Sequence, residues 1–336
     1  MKRLVIHPPH FAKRLKDGIN RGLRAATGFE LMLVKSRRGG CSTHPYMAQL
    51  LREHSADDLL KLEYGIFNTK TGTFHLLHDA GLFSCLTASL WSISDLLRTG
   101  FAPQAVSFRG SCNAFKDRPD SDPFLDFFAP AVSAASTVTT TPKLHLDRLG
   151  RFDFHGDYRR IDHEVLQPLV HRFFKPTSQV EARAAEFRQR WLQPSASYVA
   201  VWIRGTDKSA EVTPLDSSIY IEAAQRMLDD GRADRVLIQT DQAQIYKLFK
   251  GYFGNVCDAI EDLSRTEGRT GIHQTNDMAG RRLGFGVDLL AAVQLIAELP
   301  LVVTHTGNIG SWLCLRRGHG RGMWQARPVG LLPLFD

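Results

Sequence analysis

Residues 198–316 constrain the fold of this chain more than any other stretch. Tyr198 to Ile203 is an apolar run read as a strand, followed by a helical period over 217–230 and a second strand at Arg235 to Gln239. A helix over 243–253, another over 284–298, a strand at Leu301 to Val303 and a helix over 308–316 complete the series. Strands that alternate with helices pair in parallel through crossover connections, so this half is expected to be a Rossmann-like lobe. In such sheets ligands bind beyond the carboxyl ends of the strands, and the residues that follow each strand are where chemistry is sought.

The first half is less regular. The pattern predicts a helix over 45–62, a strand over 72–78, a turn at Asp79, Ala80 and Gly81, and a helix from Ser84 to Leu97 with Ser84 as its N-cap. Strand, glycine turn and helix start together aim backbone N–H groups at an anion, which singles out Gly81. A short strand over 104–108 precedes an acidic loop with Asp117, Asp120, Asp122 and Asp126, and residues 129–142 are rich in Ala, Ser and Thr. A polar helical pattern from Gln179 to Leu192, ended by Pro194, reads as the bridge between lobes. The 336 residues, 43% hydrophobic, suit two domains. The division expected is a basic arm (1–40), an N-terminal lobe (41–193) and the Rossmann-like lobe (194–336).

Charge is uneven along the chain. The whole carries +7, yet residues 1–40 hold ten cations against Asp17 and Glu30. Phe11, Leu15, Ile19 and Leu23 recur every fourth residue there, giving an apolar stripe on a cationic helix. Such a helix either lies on an anionic membrane surface or docks on its own protein. A nucleic-acid reader would carry its basic stripe on a recognisable folded module, and none is visible, so no nucleic acid is expected as partner. Lys2 and Arg3 are followed by only three apolar residues before His7, which predicts a cytoplasmic protein, at most peripheral on the inner face of a membrane. The five cysteines are scattered without a CxxC pair, as in a reducing compartment, and are expected to be small buried side chains.

Three strand ends carry polar groups. The first opens into Arg204, Gly205, Thr206, Asp207 and Lys208. A guanidinium there can clamp two phosphate oxygens without losing its charge, Asp207 can hold it, and Lys208 adds a second cation. Glu211 lies just beyond as a candidate base. The second strand ends at Thr240 and Asp241, placed either to cap the next helix or to reach a nucleobase or ribose. The third ends at Thr304, His305, Thr306, Gly307 and Asn308 before a helix start, a phosphate cradle in type. Asp288 is a lone charge in an apolar helix, there to bind something polar unless it complements the helix N-terminus. Asp120, Ser121 and Asp122 fit a DxD pattern, but no metal site is expected. With no Walker A run and no GxGxxG, a P-loop nucleotidase and a dinucleotide oxidoreductase are excluded.

The run from Val201 to Lys208, the edge at Thr240 and Asp241, and the segment from Asp288 to Asn308 resemble the α-1,6-fucosyltransferase superfamily. That family's His-Val-Arg-Arg-Thr-Asp-Lys motif stands here as Trp202-Ile203-Arg204-Gly205-Thr206-Asp207-Lys208, so its histidine is Trp202 and its second arginine is Gly205. The resemblance implies two Rossmann-like lobes of GT-B type facing a central cleft, with the N-terminal lobe on the acceptor side. It implies an inverting, metal-independent glycosyltransferase that uses GDP-fucose as substrate, with no cofactor. Arg204 then matches the donor-pyrophosphate arginine, Asp241 a guanine or ribose contact, Asp288 a base contact, Thr304 to Asn308 the phosphate segment, Gly81 part of the N-lobe glycine loop, and Glu211 the base. Asp207 is the alternative base. The acceptor expected is a glycan or lipid-linked glycan, as in surface polysaccharide synthesis. A different nucleotide-sugar donor and a non-catalytic nucleotide or glycan binder are the competing readings. Residues 264–282 are expected to form a lid over the donor.

Overall fold

The computed structural model describes residues 44–131, 156–205, 215–268, 271–272, 278, 280–327 and 330–334. The basic arm, Thr206, Asp207, Lys208, Glu211 and residues 269–270, 273–277 and 279 of the expected lid lie outside these residues. No helix among those described is long and apolar enough to cross a membrane.

The three strands expected in the second half are all present, joined by three that its pattern did not show, Cys257–Asp258, Met323–Arg327 and Gly330–Pro333. Strands β5 (Tyr198–Ile203), β6 (Arg235–Thr240), β7 (Cys257–Asp258), β8 (Leu301–His305), β9 (Met323–Arg327) and β10 (Gly330–Pro333) form one sheet, in the order β10-β9-β8-β5-β6-β7. All neighbours are parallel except β9 and β10. β5 is buried along its whole length because helices cover both faces of the sheet, which is why its sequence reads as an unbroken apolar run. The chain winds from β5 outward to β6 and β7, then crosses back to β8 and β9. Its direction therefore reverses between β5 and β8, and the carboxyl ends of those two strands flank a crevice.

The N-terminal lobe has a four-stranded sheet in the order β1 (Leu59–Lys61), β2 (Gly65–Asn68), β3 (Thr73–Leu76) and β4 (Ala105–Ser107). β1, β2 and β3 are antiparallel neighbours, and β3 and β4 are parallel. The helix expected over 45–62 is a correction: α1 spans Pro45–Glu53 only, and Ser55 caps a short turn that sends Leu59–Lys61 into the sheet. Between β3 and β4 runs α2 (Leu82–Arg98), whose N-cap is Gly81. Ser84 is not the cap: its hydroxyl lies 2.9 Å from His78 Nε2. α2 is buried nearly all round, and its Thr87, Ser89, Ser92 and Ser94 hydroxyls donate to carbonyls four residues back, so none is left unsatisfied.

Helices α3 (Pro123–Phe127), α4 (His163–Phe173) and α5 (Ser178–Trp191) precede residue 193, yet α4 and α5 pack on the second lobe's helices α9 (Asn308–Arg317) and α8 (Arg282–Ala297). Helices α6 (Ser217–Asp229) and α7 (Ala243–Phe253) follow β5 and β6. One core joins the lobes: Phe115 stacks on Phe285 of α8 with ring centroids 6.1 Å apart, and Phe174 meets Trp312 of α9 edge to face at 5.1 Å. Gly286 makes that approach possible, since a Cβ there would collide with the Phe127 ring. Cys85, Cys112, Cys257 and Cys314 are buried free thiols, and Cys41 lies outside the described residues.

Candidate functional site

Register brings the strand-end residues together. Ile203 pairs with Thr240 in the parallel β5–β6 ladder, so the next residues, Arg204 and Asp241, leave the sheet side by side. Asp241 Oδ1 accepts the Gly205 N–H at 2.9 Å, and Asp241 Oδ2 lies 3.7 Å from Arg204 Nε. The Asp241 carboxylate thus fixes the backbone turn that carries the arginine. Asp207, expected to hold the guanidinium itself, lies outside the described residues. Asp241 does not cap α7 with its side chain; Thr240 accepts the Gln242 N–H at 3.2 Å instead.

Arg204 and Asp241 face a cleft walled by both lobes. The N-terminal lobe supplies Gly81, Leu82, Phe83 and Phe115, and the other wall holds Trp202, Gln239, Phe285, Leu289 and Ile309 among others. No side chain caps the N-terminus of α2 at Gly81, and a Cβ built on Gly81 would meet open space, so the positive end of a long helix borders the cleft. Gln239, which the sequence gave no reason to single out, is buried in this wall with its Oε1 lacking a partner. Trp202 is only 3% exposed and supplies a flat apolar wall where a histidine stands in the family motif. The arrangement is a guanidinium and a helix N-terminus facing one another across a largely apolar slot, which suits a diphosphate joined to a flat ring.

The segment after β8 is built differently. Thr304 is fully buried and its hydroxyl has no hydrogen-bond partner, and the His305 ring is turned toward the Trp202 carbonyl, 3.3 Å from Nδ1. Thr306 accepts from Gln325 at 3.0 Å. Below them sits Tyr158, which sequence reasoning missed. Its hydroxyl accepts the Gly307 N–H at 2.7 Å and lies 2.8 Å from the carbonyls of both His305 and Gly307. Burial pushes this phenol far above its ordinary pKa, so it stays a neutral donor. Tyr158 thereby sets the path by which the chain enters α9 at Asn308. Of this group the cleft wall contains the next residue, Ile309, rather than Thr304 to Asn308 themselves.

Asp288 lies in an adjoining groove that shares Ser264 and Phe285 with the cleft. Its Oδ1 is 2.7 Å from Arg183 Nε on α5, and Arg183 also reaches Glu186 at 2.7 Å and Asp262 at 3.6 Å. The lone charge of an apolar helix is therefore answered by an arginine 105 residues earlier in the chain. Burial still pushes the Asp288 carboxyl up, against the pull of Arg183. Asp122 accepts the Phe108 and Phe124 N–H groups and caps α3, and Asp117 accepts the Arg282 N–H at the start of α8. Among the described residues no cluster of His, Cys, Asp and Glu is placed to hold a metal ion.

No family model matches this sequence, and no curated protein matches it. The structure is similar to that of the fucosyltransferase NodZ from Bradyrhizobium, at 17% identity and TM-score 0.47 over 77% of this chain and 96% of that one. A NodZ α-1,6-fucosyltransferase soaked with GDP-fucose gives 17% identity and TM-score 0.48, over 76% and 94% of the two chains. A variant of Arabidopsis thaliana FUT1 in complex with GDP gives 13% identity and TM-score 0.33, over 96% of this chain and 70% of that one.

Proposed function

We propose that this chain is a glycosyltransferase of the inverting type, moving a sugar, fucose from GDP-fucose, to a glycan acceptor. The observation that carries the reading is the meeting, at the carboxyl ends of the adjacent parallel strands β5 and β6, of Arg204, the Asp241 carboxylate that fixes its turn, and the N-terminus of α2 from the other lobe. In the reaction an acceptor oxygen forms a bond to the anomeric carbon while the bond from that carbon to the diphosphate breaks. Negative charge grows on the leaving diphosphate, and Arg204 and the helix dipole stand where such charge is stabilised in a slot poor in water. A carboxylate takes the acceptor proton; Glu211, with Asp207 as alternative, is the candidate from the sequence. The apolar walls hold the base and exclude water from the anomeric carbon.

The test is a thermal-shift series with GDP, UDP, CMP and ADP, with and without magnesium. A ligand at a hundred times its dissociation constant adds about 2.7 kcal/mol, which is easily read. Stabilisation by GDP, indifferent to magnesium, is the expected result, and loss of it in Arg204→Ala ties it to the cleft. Trp202 in the wall favours one second reading, the same chemistry with another nucleotide sugar, which a larger shift with UDP, CMP or ADP would establish. No shift with any of them would leave a binding protein without donor chemistry.

A further inference from the structure

A second cavity, of about 550 Å³, opens at the opposite end of the six-stranded sheet, where β8 and β9 begin. Four basic side chains line it: Arg316, Arg317, His319 and Arg321. The carboxylate in its wall, Glu298, is already engaged by Arg188. Arg317 has a structural task, since its guanidinium donates to the carbonyls of Ala297, Leu299, Pro300 and Arg321 and so satisfies the C-terminal end of α8. One positive charge is thus matched by helix-end carbonyls.

Arg316 makes one contact of the same kind, to the residue that ends α4. Arg316 lies against the Phe128 ring, 6.0 Å from its centroid, and donates to the Phe174 carbonyl. Burial pulls its pKa down to about 10. Among the described residues no carboxylate pairs with Arg316, Arg317 or Arg321. A guanidinium taken out of water without a counter-charge is expensive, and a fold retains one where something else supplies the charge. Two buried polar atoms here also lack partners, Arg317 Nε and His319 Nδ1. Burial, with Arg317 and Arg321, pushes the His319 ring toward its neutral form, so it borders the cavity as an uncharged ring rather than as a cation.

We propose that this cavity binds a phosphate-class anion, held by Arg316, His319 and Arg321. Three arginines and a histidine that line one space offer the kind of donors that match the several acceptor oxygens of a phosphate. The anion comes either from solution or from the headgroup of a membrane lipid, and the chemistry of recognition is the same.

The experiment uses the full chain carrying Arg204→Ala, so that phosphate binding in the cleft is not read by mistake. Inorganic phosphate is titrated while the His319 ring signals are followed by NMR and the melting temperature is recorded. Saturable shifts of the His319 signals and a rise in melting temperature are expected. Arg321→Ala, and His319→Gln, whose amide can take over the ring's hydrogen bond to the Arg321 backbone, should each weaken binding by about tenfold or more. If phosphate moves neither signal, or binds these variants as tightly as the parent, the proposal is overturned. Sedimentation with phosphatidylcholine vesicles with and without phosphatidic acid separates the sources. Loss of phosphatidic-acid-dependent sedimentation in Arg321→Glu assigns a headgroup, whereas unchanged sedimentation alongside lost phosphate binding assigns a soluble anion.

Discussion

Two arginine–aspartate pairs stand in adjoining hollows of this molecule and are built for different ends. Arg183 and Asp288 meet at 2.7 Å, and the same guanidinium is shared with Glu186 and Asp262. Arg204 Nε and Asp241 Oδ2 stand 3.7 Å apart, and the aspartate accepts its short hydrogen bond from the Gly205 N–H. The first pair spends its charge inside the fold and ties α5 to α8. The second uses its carboxylate to hold a turn and sets the guanidinium at the cleft. An ion pair's distance alone therefore says little of its role; what the remaining donors and acceptors are doing decides it.

The comparison predicts opposite outcomes for the two arginines. Arg204→Ala should lower donor turnover by about two to three orders of magnitude, as removal of a group aimed at developing charge does. Its melting temperature should stay close to that of the parent; a large fall in stability instead would make the pair structural. Arg183→Ala should do the reverse, costing about 2–4 kcal/mol in urea unfolding because three carboxylates lose their shared cation. Nucleotide binding in that variant should persist.

Tyr158→Phe sharpens the contrast from below the sheet. It removes the hydroxyl that joins His305 and Gly307, and a buried orphan left behind costs about 1–3 kcal/mol. The same variant should raise the KM for donor more than it lowers kcat. The pH dependence of the Asp288 pair is a finer test. Its carboxyl is easier to protonate folded than unfolded, so its contribution to stability is greatest at low pH. That contribution fades as pH climbs through the range just above an ordinary carboxylate pKa. Asp288→Asn should therefore gain on the parent as pH rises from about 4 to 7, measured by chemical unfolding at each pH. The smallest effect is expected from Gly205→Ala. Its new Cβ meets only the end of the Gln242 side chain, which can swing aside, so the cost should stay below about 1 kcal/mol.

The two halves of the fold differed in how much their sequences disclosed, for a physical reason. A central parallel strand is buried on both faces, so β5 and β6 announce themselves as apolar runs, and the residues after them are automatically edge residues. Arg204 and Asp241 were legible in this way. β1 and β2 are short and pair only with one another and β3, so nothing in their local pattern separates 59–61 from the end of a helix. The partner of Asp288 was hidden by distance along the chain, and Tyr158 by being one tyrosine in an irregular stretch. What Asp288 required could be read, a polar partner, while which residue supplies it could not. The carboxylate after Lys208 and the basic arm remain expectations from the sequence.

The stack of Phe115 on Phe285, described above as packing, also sets how the molecule can move. A two-lobed enzyme that opens by hinge rotation needs an interface across which its lobes can slide. Here aromatic rings from one lobe are seated in the helical layer of the other, and rotating the lobes apart would open voids in a close-packed interior. Substrate entry is therefore expected to be carried by backbone at the rim, around Asp79 to Gly81, at Asp241 and at Leu263 and Ser264, with the lobes in fixed register. Relaxation measurements on the millisecond scale should find exchange at those rim amides and quiet side chains at the stack, and turnover would then be paced by the rim rather than by a hinge.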